Sequence, residues 1–161
     1  QQHEHPGGPM DDLKKEFRPE PKVFSKEEFT LRARLADLII PRTDTPGASD
    51  ANVPHWIDAM VSGPKDTRVK ILRDGFAATE EAARKRFKKP FLELAETQQI
   101  QLLTPWSLET KSAQGKFFKL LKDLTIDLYY TSRAGLAIEL GYHGSTALAE
   151  FSGCTHPEHQ V

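Results

Sequence analysis

The sequence predicts an all-α fold, an irregular bundle of about five or six helices with an extended N-terminal arm and a loop-like C-terminal tail. Apolar side chains recur at three- and four-residue intervals in several long segments, which is the period of an α-helix. Proline, glycine and capping residues bound these segments. No segment of useful length alternates apolar and polar side chains as a half-buried strand does.

The length and charge of the chain limit its domain count and its partners. With 161 residues it suits one domain, which we place at residues 25–161, after an arm of residues 1–24. The 22 basic and 23 acidic residues give a formal net charge of -1, which argues against a nucleic-acid partner. No apolar run approaches the roughly 18 residues of a membrane-spanning helix, so we expect any membrane association to be indirect.

The arm at residues 1–24 is rich in proline and holds Gly7-Gly8, without a sustained apolar period. This composition predicts a flexible tail, or a strap that becomes ordered on a partner. The chain opens at Gln1 without the charged and apolar regions of a targeting segment. We therefore expect either an exported protein whose signal has been removed or a trimmed chain.

A capping box marks the start of the first predicted helix. Ser25 is followed three residues later by Glu28, so the hydroxyl and the carboxylate can satisfy free N–H groups at the helix N-terminus. Apolar residues then recur on one face, and Pro41 ends the segment. That face carries Leu31, Leu35, Leu38 and Ile39.

A loop at residues 42–53 is predicted to connect the first helix to a short second one. Pro46-Gly47 fits the central pair of a type II turn, in which the glycine takes a positive φ. Pro54 suits the first turn of the helix that follows, because its missing N–H has no helical partner there.

Three further helical segments follow. The first covers residues 67–88, with Asp66 as its predicted N-cap. A shorter helix is expected at residues 97–103, before a turn at Pro105. The most apolar segment, residues 114–130, carries apolar side chains around most of its circumference, which favours a central position in the bundle.

A last helix is predicted at residues 132–140, with Gly141 as a left-handed C-cap. Cys154, in the tail beyond it, is the only cysteine, so no internal disulfide can form. With His156 and His159 it allows three interpretations: a contact with a partner, a metal site, or an ordinary surface tail. The spacing of these ligands matches no standard metal centre, which disfavours the second.

The sequence contains no recognisable catalytic motif. Phosphate-binding loop, dinucleotide fingerprint and nucleophile elbow are all missing, and one cysteine cannot attach a c-type haem or ligate an iron–sulfur cluster. His55 and Asp58 share a helical face, but with no third group they are predicted to form a surface pair. Tyr129, Tyr130 and Arg133 are candidates for an interface, where such residues are enriched, with a core or surface role as the alternative.

Several short segments carry a resemblance to a known family. They are Leu35–Pro41, Asp44–Ala48, Val53-Pro54, Tyr130–Ser132, Glu139–Tyr142 and Gly153–His159. In their order and spacing, the chain resembles the gluconate 2-dehydrogenase subunit 3 family over residues 29–159.

The resemblance implies the small subunit of a periplasmic dehydrogenase that oxidises sugars, sugar acids or polyols. The large partner would be a flavoprotein of the glucose–methanol–choline (GMC) oxidoreductase type, which holds FAD and the catalytic residues. A multihaem cytochrome c subunit, with haem c as its cofactor, often receives the electrons. The small subunit would carry no cofactor of its own, stabilise the large subunit and escort it through twin-arginine export.

The resemblance also implies that the C-terminal tail contacts the partner. We assign Tyr142, Cys154, His156 and His159 to that contact, together with Tyr129, Tyr130 and Arg133 at the end of the last long helix. Cys154 is expected to form a disulfide with the large subunit, because the periplasm is oxidising and this cysteine is unpaired in its own chain. The alternative is a periplasmic metal-binding or redox-sensing protein that uses Cys154, His156 and His159.

Overall fold

The structure, a computed structural model, describes residue 13 and residues 17–142. This part of the chain is helical and contains no strand, so the predicted all-α class is confirmed. Its α-helices are α1 (Lys26–Ile39), α2 (Val53–Val61), α3 (Arg68–Phe87), α4 (Glu96–Leu108) and α5 (Ala113–Tyr130). A short 3-10 turn at Phe91–Glu93 precedes α4, and a π-helix at Ala134–Glu139 follows α5.

The predicted capping box opens α1. Ser25 Oγ accepts the backbone N–H of Glu28 at 3.2 Å, and the Glu28 carboxylate accepts the N–H of Ser25 at 2.8 Å. Leu31 and Leu35 are buried, as the apolar spacing predicts. Arg32 is buried beside them, which is unusual for a cation and requires a partner.

The loop between α1 and α2 differs from the prediction. Gly47 has no positive φ, so Pro46-Gly47 is not the centre of a type II turn. A Cβ on Gly47 would lie 2.8 Å from the backbone nitrogen of Arg42, so glycine is needed here for a close approach of two backbone segments. The Asp50 carboxylate accepts the N–H of Gly47 at 2.9 Å and pairs with the Arg42 guanidinium, which closes the loop.

The N-terminus of α3 lies one residue later than predicted. Thr67 is the N-cap and gives no side-chain hydrogen bond to the helix. Asp66, the predicted cap, still accepts the N–H of Arg68 at 2.8 Å and pairs with the Arg68 guanidinium. The Asp66 carboxylate therefore accepts one of the free N–H groups at the start of α3, although Asp66 precedes the N-cap by one residue.

Pro105 lies inside α4, although the sequence predicted that it would follow the helix. Proline has no N–H for the carbonyl four residues earlier, which here belongs to Gln101. The Arg86 guanidinium of α3 donates to that carbonyl at 3.4 Å. A neighbouring helix thus offsets the lost hydrogen bond and α4 continues to Leu108.

α5 occupies the centre of the bundle and packs against each of the other four helices, which confirms the prediction from its wide apolar surface. Its residues Phe117 and Leu121 are buried. α3 approaches closely at Gly75, where a Cβ would lie 2.0 Å from the ring of Phe117. The absence of a side chain at this position sets the spacing of the two longest helices.

The segment after α5 is helical, as predicted, but has π geometry. The N–H of Leu140 donates to the carbonyl of Gly135, five residues earlier, at 2.9 Å. Gly141 has a φ of 63°, which confirms the predicted left-handed position. The N–H of Tyr142 then donates to the carbonyl of Leu136 at 2.8 Å.

Residues 17–24 form an extended segment, here called the strap, that leads into the N-cap of α1. Phe24 at its end is buried and meets Phe76 of α3 edge to face, with ring centroids 5.6 Å apart. Leu13, further upstream, is also buried. Among the described residues, no helix combines the length and the apolar character needed to cross a membrane.

Candidate partner interface

α2 presents exposed apolar side chains on its outer face. Trp56 and Met60 are four residues apart and are 38% and 51% exposed. Phe17 of the strap is 74% exposed and meets the Trp56 ring edge to face, with centroids 6.1 Å apart. Tryptophan, phenylalanine and methionine are enriched at protein interfaces, so this group is a candidate contact surface.

A cleft of about 430 Å³ lies beside this group. It is lined by Phe17, Ala51, Trp56, Leu128, Thr131 and Ser132. The cleft therefore connects the outer face of α2 with the C-terminal end of α5, where the sequence placed its contact residues. Sequence reasoning did not select Trp56 or Met60 for this role, although their four-residue spacing puts both on one side of a short helix.

Tyr129 lies in the core, which corrects its assignment to the partner contact. The side chain has no exposed surface, and its hydroxyl donates to the carbonyl of Pro46 at 2.6 Å. Burial, together with the negative charge of Glu139, raises the pKa of the Tyr129 hydroxyl far above its ordinary value. Tyr129 thus fastens α5 to the loop before α2 and has no surface to offer a partner.

Tyr130 is half-buried and ties α5 to the π-helix. Its hydroxyl donates to Glu139 at 2.6 Å, and its ring meets that of Tyr129 edge to face, with centroids 5.2 Å apart. The hydrogen bond to Glu139 raises the pKa of Tyr130. The two adjacent tyrosines therefore fix the direction in which the chain leaves α5.

The other predicted contact residues in the described region are exposed. Arg133 has an exposed side chain at the turn after α5, and Tyr142, three residues beyond the π-helix, is 53% exposed. Leu140, two residues before Tyr142, is 60% exposed. Cys154, His156 and His159 lie outside the described residues, so their disulfide, contact and metal roles stay predictions.

Asp58 and Arg32 form a buried ion pair, so the predicted surface pair of His55 and Asp58 is wrong. Asp58 has no exposed surface, because the strap covers it and donates three consecutive backbone N–H groups to its carboxylate. Its Oδ2 lies 3.7 Å from Arg32 Nη1. His55 turns instead to the strap, with Nδ1 3.2 Å from the carbonyl oxygen of Pro19.

Arg32 is surrounded by aromatic rings. Its guanidinium carbon lies 4.7 Å from the ring centroid of Phe24 and 5.1 Å from that of Phe29. Burial lowers the pKa of Arg32 to about 10, against the opposing effects of Asp58 and Glu28, so the side chain remains a cation at neutral pH. Arg32 stands between Leu31 and Leu35 on the apolar face of α1, so the sequence already placed a cation at a buried position. Because a buried charge needs a partner, this arginine was the signal for a buried acidic side chain facing α1.

The described residues include no group of three or more His, Cys, Asp or Glu side chains that could hold a metal ion. The described region has exposed apolar side chains on α2 and in the segment after the π-helix. Those on α2 border the cleft and the strap, which is held through main-chain hydrogen bonds. Such a surface suits contact with another protein.

One family model, described as Gluconate 2-dehydrogenase subunit 3, matches residues 26–144. The match covers all five α-helices and the π-helix, and begins just after the strap. No curated protein and no solved structure matches the chain.

Proposed function

Because the chain belongs to the gluconate 2-dehydrogenase subunit 3 family, a component of a dehydrogenase complex, we propose that it is the non-catalytic small subunit of a periplasmic flavin-dependent enzyme. The enzyme oxidises a sugar, sugar acid or polyol, and the large GMC-type subunit holds FAD and the catalytic residues. The observation that carries this proposal is the family match over most of the chain. A cytochrome c subunit with haem c is the proposed electron acceptor.

The proposed role is stabilisation of the large subunit. A protein that binds only the folded form of its partner shifts the folding equilibrium of that partner by mass action. At a free concentration 100 times the dissociation constant, the gain is about 2.7 kcal/mol. Bound in this way, the large subunit stays folded during twin-arginine co-export, which carries folded proteins.

We place the contact on two groups of exposed side chains, Trp56 and Met60 on α2, and Leu140 and Tyr142 after the π-helix. These side chains are between about one third and two thirds exposed, and all are apolar or aromatic. Trp56 lines the cleft that reaches the end of α5, from which the chain continues to Leu140 and Tyr142. Cys154, His156 and His159 extend the contact, with Cys154 in a disulfide to the large subunit.

The first test is purification of the complex from its native periplasm under non-reducing conditions. We expect a large co-eluting chain with a flavin absorption spectrum, joined to this 18.1 kDa chain by a bond that a reductant cleaves. A flavin-containing partner without that bond would retain the subunit assignment and remove the role of Cys154. A colourless protein that elutes alone with stoichiometric metal would instead favour the metal-binding alternative.

A matched pair of substitutions tests the contact surface. Met60→Glu places a charge on the proposed interface, and we expect at least a tenfold loss of affinity for the large subunit, because an unpaired charge would be buried. Leu108→Glu is the control, since Leu108 is 79% exposed on α4 and lies outside the proposed surface. Equal affinity of the two variants would show that the contact lies elsewhere.

A further inference from the structure

Two sets of donors lie around the Asp58 carboxylate: the backbone N–H groups of the strap and the guanidinium of Arg32. Oδ1 accepts the N–H groups of Lys22 and Val23 at 2.7 and 3.2 Å, and Oδ2 accepts the N–H of Phe24 at 3.1 Å. Arg32 approaches the same carboxylate from the opposite side but stops 3.7 Å away. That distance is beyond a charge-assisted hydrogen bond, which spans about 2.7–2.9 Å.

Arg32 is left without a hydrogen-bond acceptor. In the described part of the chain, none of the three nitrogens of its buried guanidinium has one, and only the rings of Phe24 and Phe29 lie against it. A buried guanidinium with unpaired donors is a costly arrangement. The carboxylate opposite Arg32 already accepts three backbone N–H groups from the strap.

We propose that the strap is a latch with two positions, and that Arg32 stabilises the open one. With the strap docked, Asp58 holds the backbone of residues 22–24. When the backbone of residues 17–24 lifts away from Asp58, Oδ1 loses its two donors and Oδ2, the oxygen nearest Arg32, loses the N–H of Phe24. The carboxylate then closes on Arg32 in a hydrogen-bonded pair. The open state therefore gains a hydrogen-bonded ion pair in place of the strap N–H groups, which lowers the free energy of opening.

The other contacts of the strap are consistent with reversible docking. Phe17, Arg18, Glu20 and Lys22 are exposed. The other polar contacts of the strap are few: the Arg73 guanidinium donates to the carbonyl of Val23 at 2.9 Å, and His55 lies at the carbonyl of Pro19. Phe24 at its end packs on the core. Opening would also withdraw Phe17 from the cleft beside Trp56 and so change the surface available to a partner.

The latch is tested by whether the substitution Arg32→Met slows or speeds amide hydrogen exchange in the strap. In Arg32→Met the open state loses its hydrogen-bonded pair, whereas the docked state loses only the longer 3.7 Å ion pair and keeps all the strap hydrogen bonds. We expect amide hydrogen exchange at Lys22, Val23 and Phe24 to slow by about threefold to tenfold, while amides in α5 exchange faster because the core is less stable. If Arg32 only supports the strap, exchange at residues 22–24 will be unchanged or faster, and the proposal is overturned.

Arg73→Met is the matched control. It also shortens an arginine that touches the strap, but Arg73 donates directly to Val23. Its loss should therefore speed exchange at residues 22–24, by about threefold to tenfold. Slower exchange in this variant as well would mean that the method does not report strap opening, and the Arg32→Met result would then no longer support the latch.

A second variant keeps the test independent of the stability of Arg32→Met. Lys22 has an exposed side chain, and Lys22→Pro removes the N–H that Asp58 Oδ1 accepts at 2.7 Å and puts the proline ring in its place. We expect the strap to leave Asp58 and the pair with Arg32 to close from 3.7 Å to about 2.9 Å in a crystal structure of the full chain. A separation that remains at 3.7 Å in a chain with the strap released would refute the latch.

Discussion

Tyr129 joins two parts of the chain that are far apart in sequence, because its hydroxyl reaches the carbonyl of Pro46 across the core. The bond is buried, and a buried carbonyl that loses its donor costs more than an exposed one. The same burial holds the hydroxyl in its neutral form, with the pKa raised above the ordinary value of 10.0. Two measurable effects follow, one at neutral pH and one at alkaline pH.

We predict that Tyr129→Phe lowers the free energy of unfolding by about 1–2 kcal/mol at pH 7, measured by urea denaturation. At alkaline pH the difference shrinks. The unfolded chain releases the tyrosine proton above its ordinary pKa of 10.0, while the native chain keeps it, so the wild type loses stability as pH rises through this range.

Tyr130→Phe is the control for this prediction. Its hydroxyl bond to Glu139 is only partly buried, so the loss at pH 7 should be smaller. If Tyr129→Phe were as stable as the wild type at pH 7, the bond to Pro46 would contribute nothing to the fold.

The features of single residues could be predicted where they depend on neighbours in the sequence, but not where they depend on residues far along the chain. The Ser25–Glu28 capping box and the left-handed Gly141 were confirmed, since both depend on neighbouring residues. The burial of Asp58 was missed, because it depends on a strap 34 or more positions away. That of Tyr129 was only one of the alternatives, because it depends on a loop 83 positions away. Sequence spacing along one helix carries no information about what covers it.

At the scale of elements, Gly75 determines how closely α3 and α5 pack. A Cβ at this position would lie 2.0 Å from the ring of Phe117, which is itself buried and has no room to move. An added methyl group must therefore push two helices apart at the centre of the bundle.

We predict that Gly75→Ala destabilises the protein by about 1–3 kcal/mol, because overpacking outweighs the better helix propensity of alanine. The thermal midpoint should fall by roughly 2–4 °C for each kcal/mol. Gly63→Ala is the control, since no atom lies within 4 Å of a Cβ there. A midpoint of Gly75→Ala at or above that of the control would contradict this account of the helix crossing.

The existence and order of the helices could be predicted from apolar periodicity, but two of their details could not. α4 continues through Pro105, and Arg86 of another helix donates to the carbonyl of Gln101, which has lost its helical partner. The last helix has π geometry, and its backbone at Gly135 lies close to the carbonyl oxygen of Tyr129. A Cβ on residue 135 would lie only 2.3 Å from that oxygen, so glycine is needed there. Both features depend on packing between elements.

At the scale of the whole molecule, several carboxylates stabilise the native state only when ionised. Hydrogen bonds from Arg42 lower the pKa of Asp50, those from Arg68 lower the pKa of Asp66, and those from Ser112 lower the pKa of Glu109. A carboxyl group with a lowered native pKa contributes stability above its unfolded pKa and loses it as pH falls. These sites are spread over the molecule, so their effects add.

We predict that the free energy of unfolding falls steadily as pH drops from about 5 to about 3, measured from urea midpoints. Asp50→Asn removes one of the contributing groups and should make this slope shallower. Asp74→Asn is the control, because Asp74 forms only an exposed pair with Lys70 on α3. Identical slopes for wild type and Asp50→Asn would show that the Arg42 pair does not stabilise the fold.

The strap also has a consequence for the order in which the chain is assembled. Phe24 is synthesised 34 residues before Asp58, and the two meet only once α2 has formed against α1. Until then Phe24 and the unpaired N–H groups of the strap remain available to chaperones or to another chain. The segment that emerges first from the ribosome thus depends on residues synthesised later for its place in the fold.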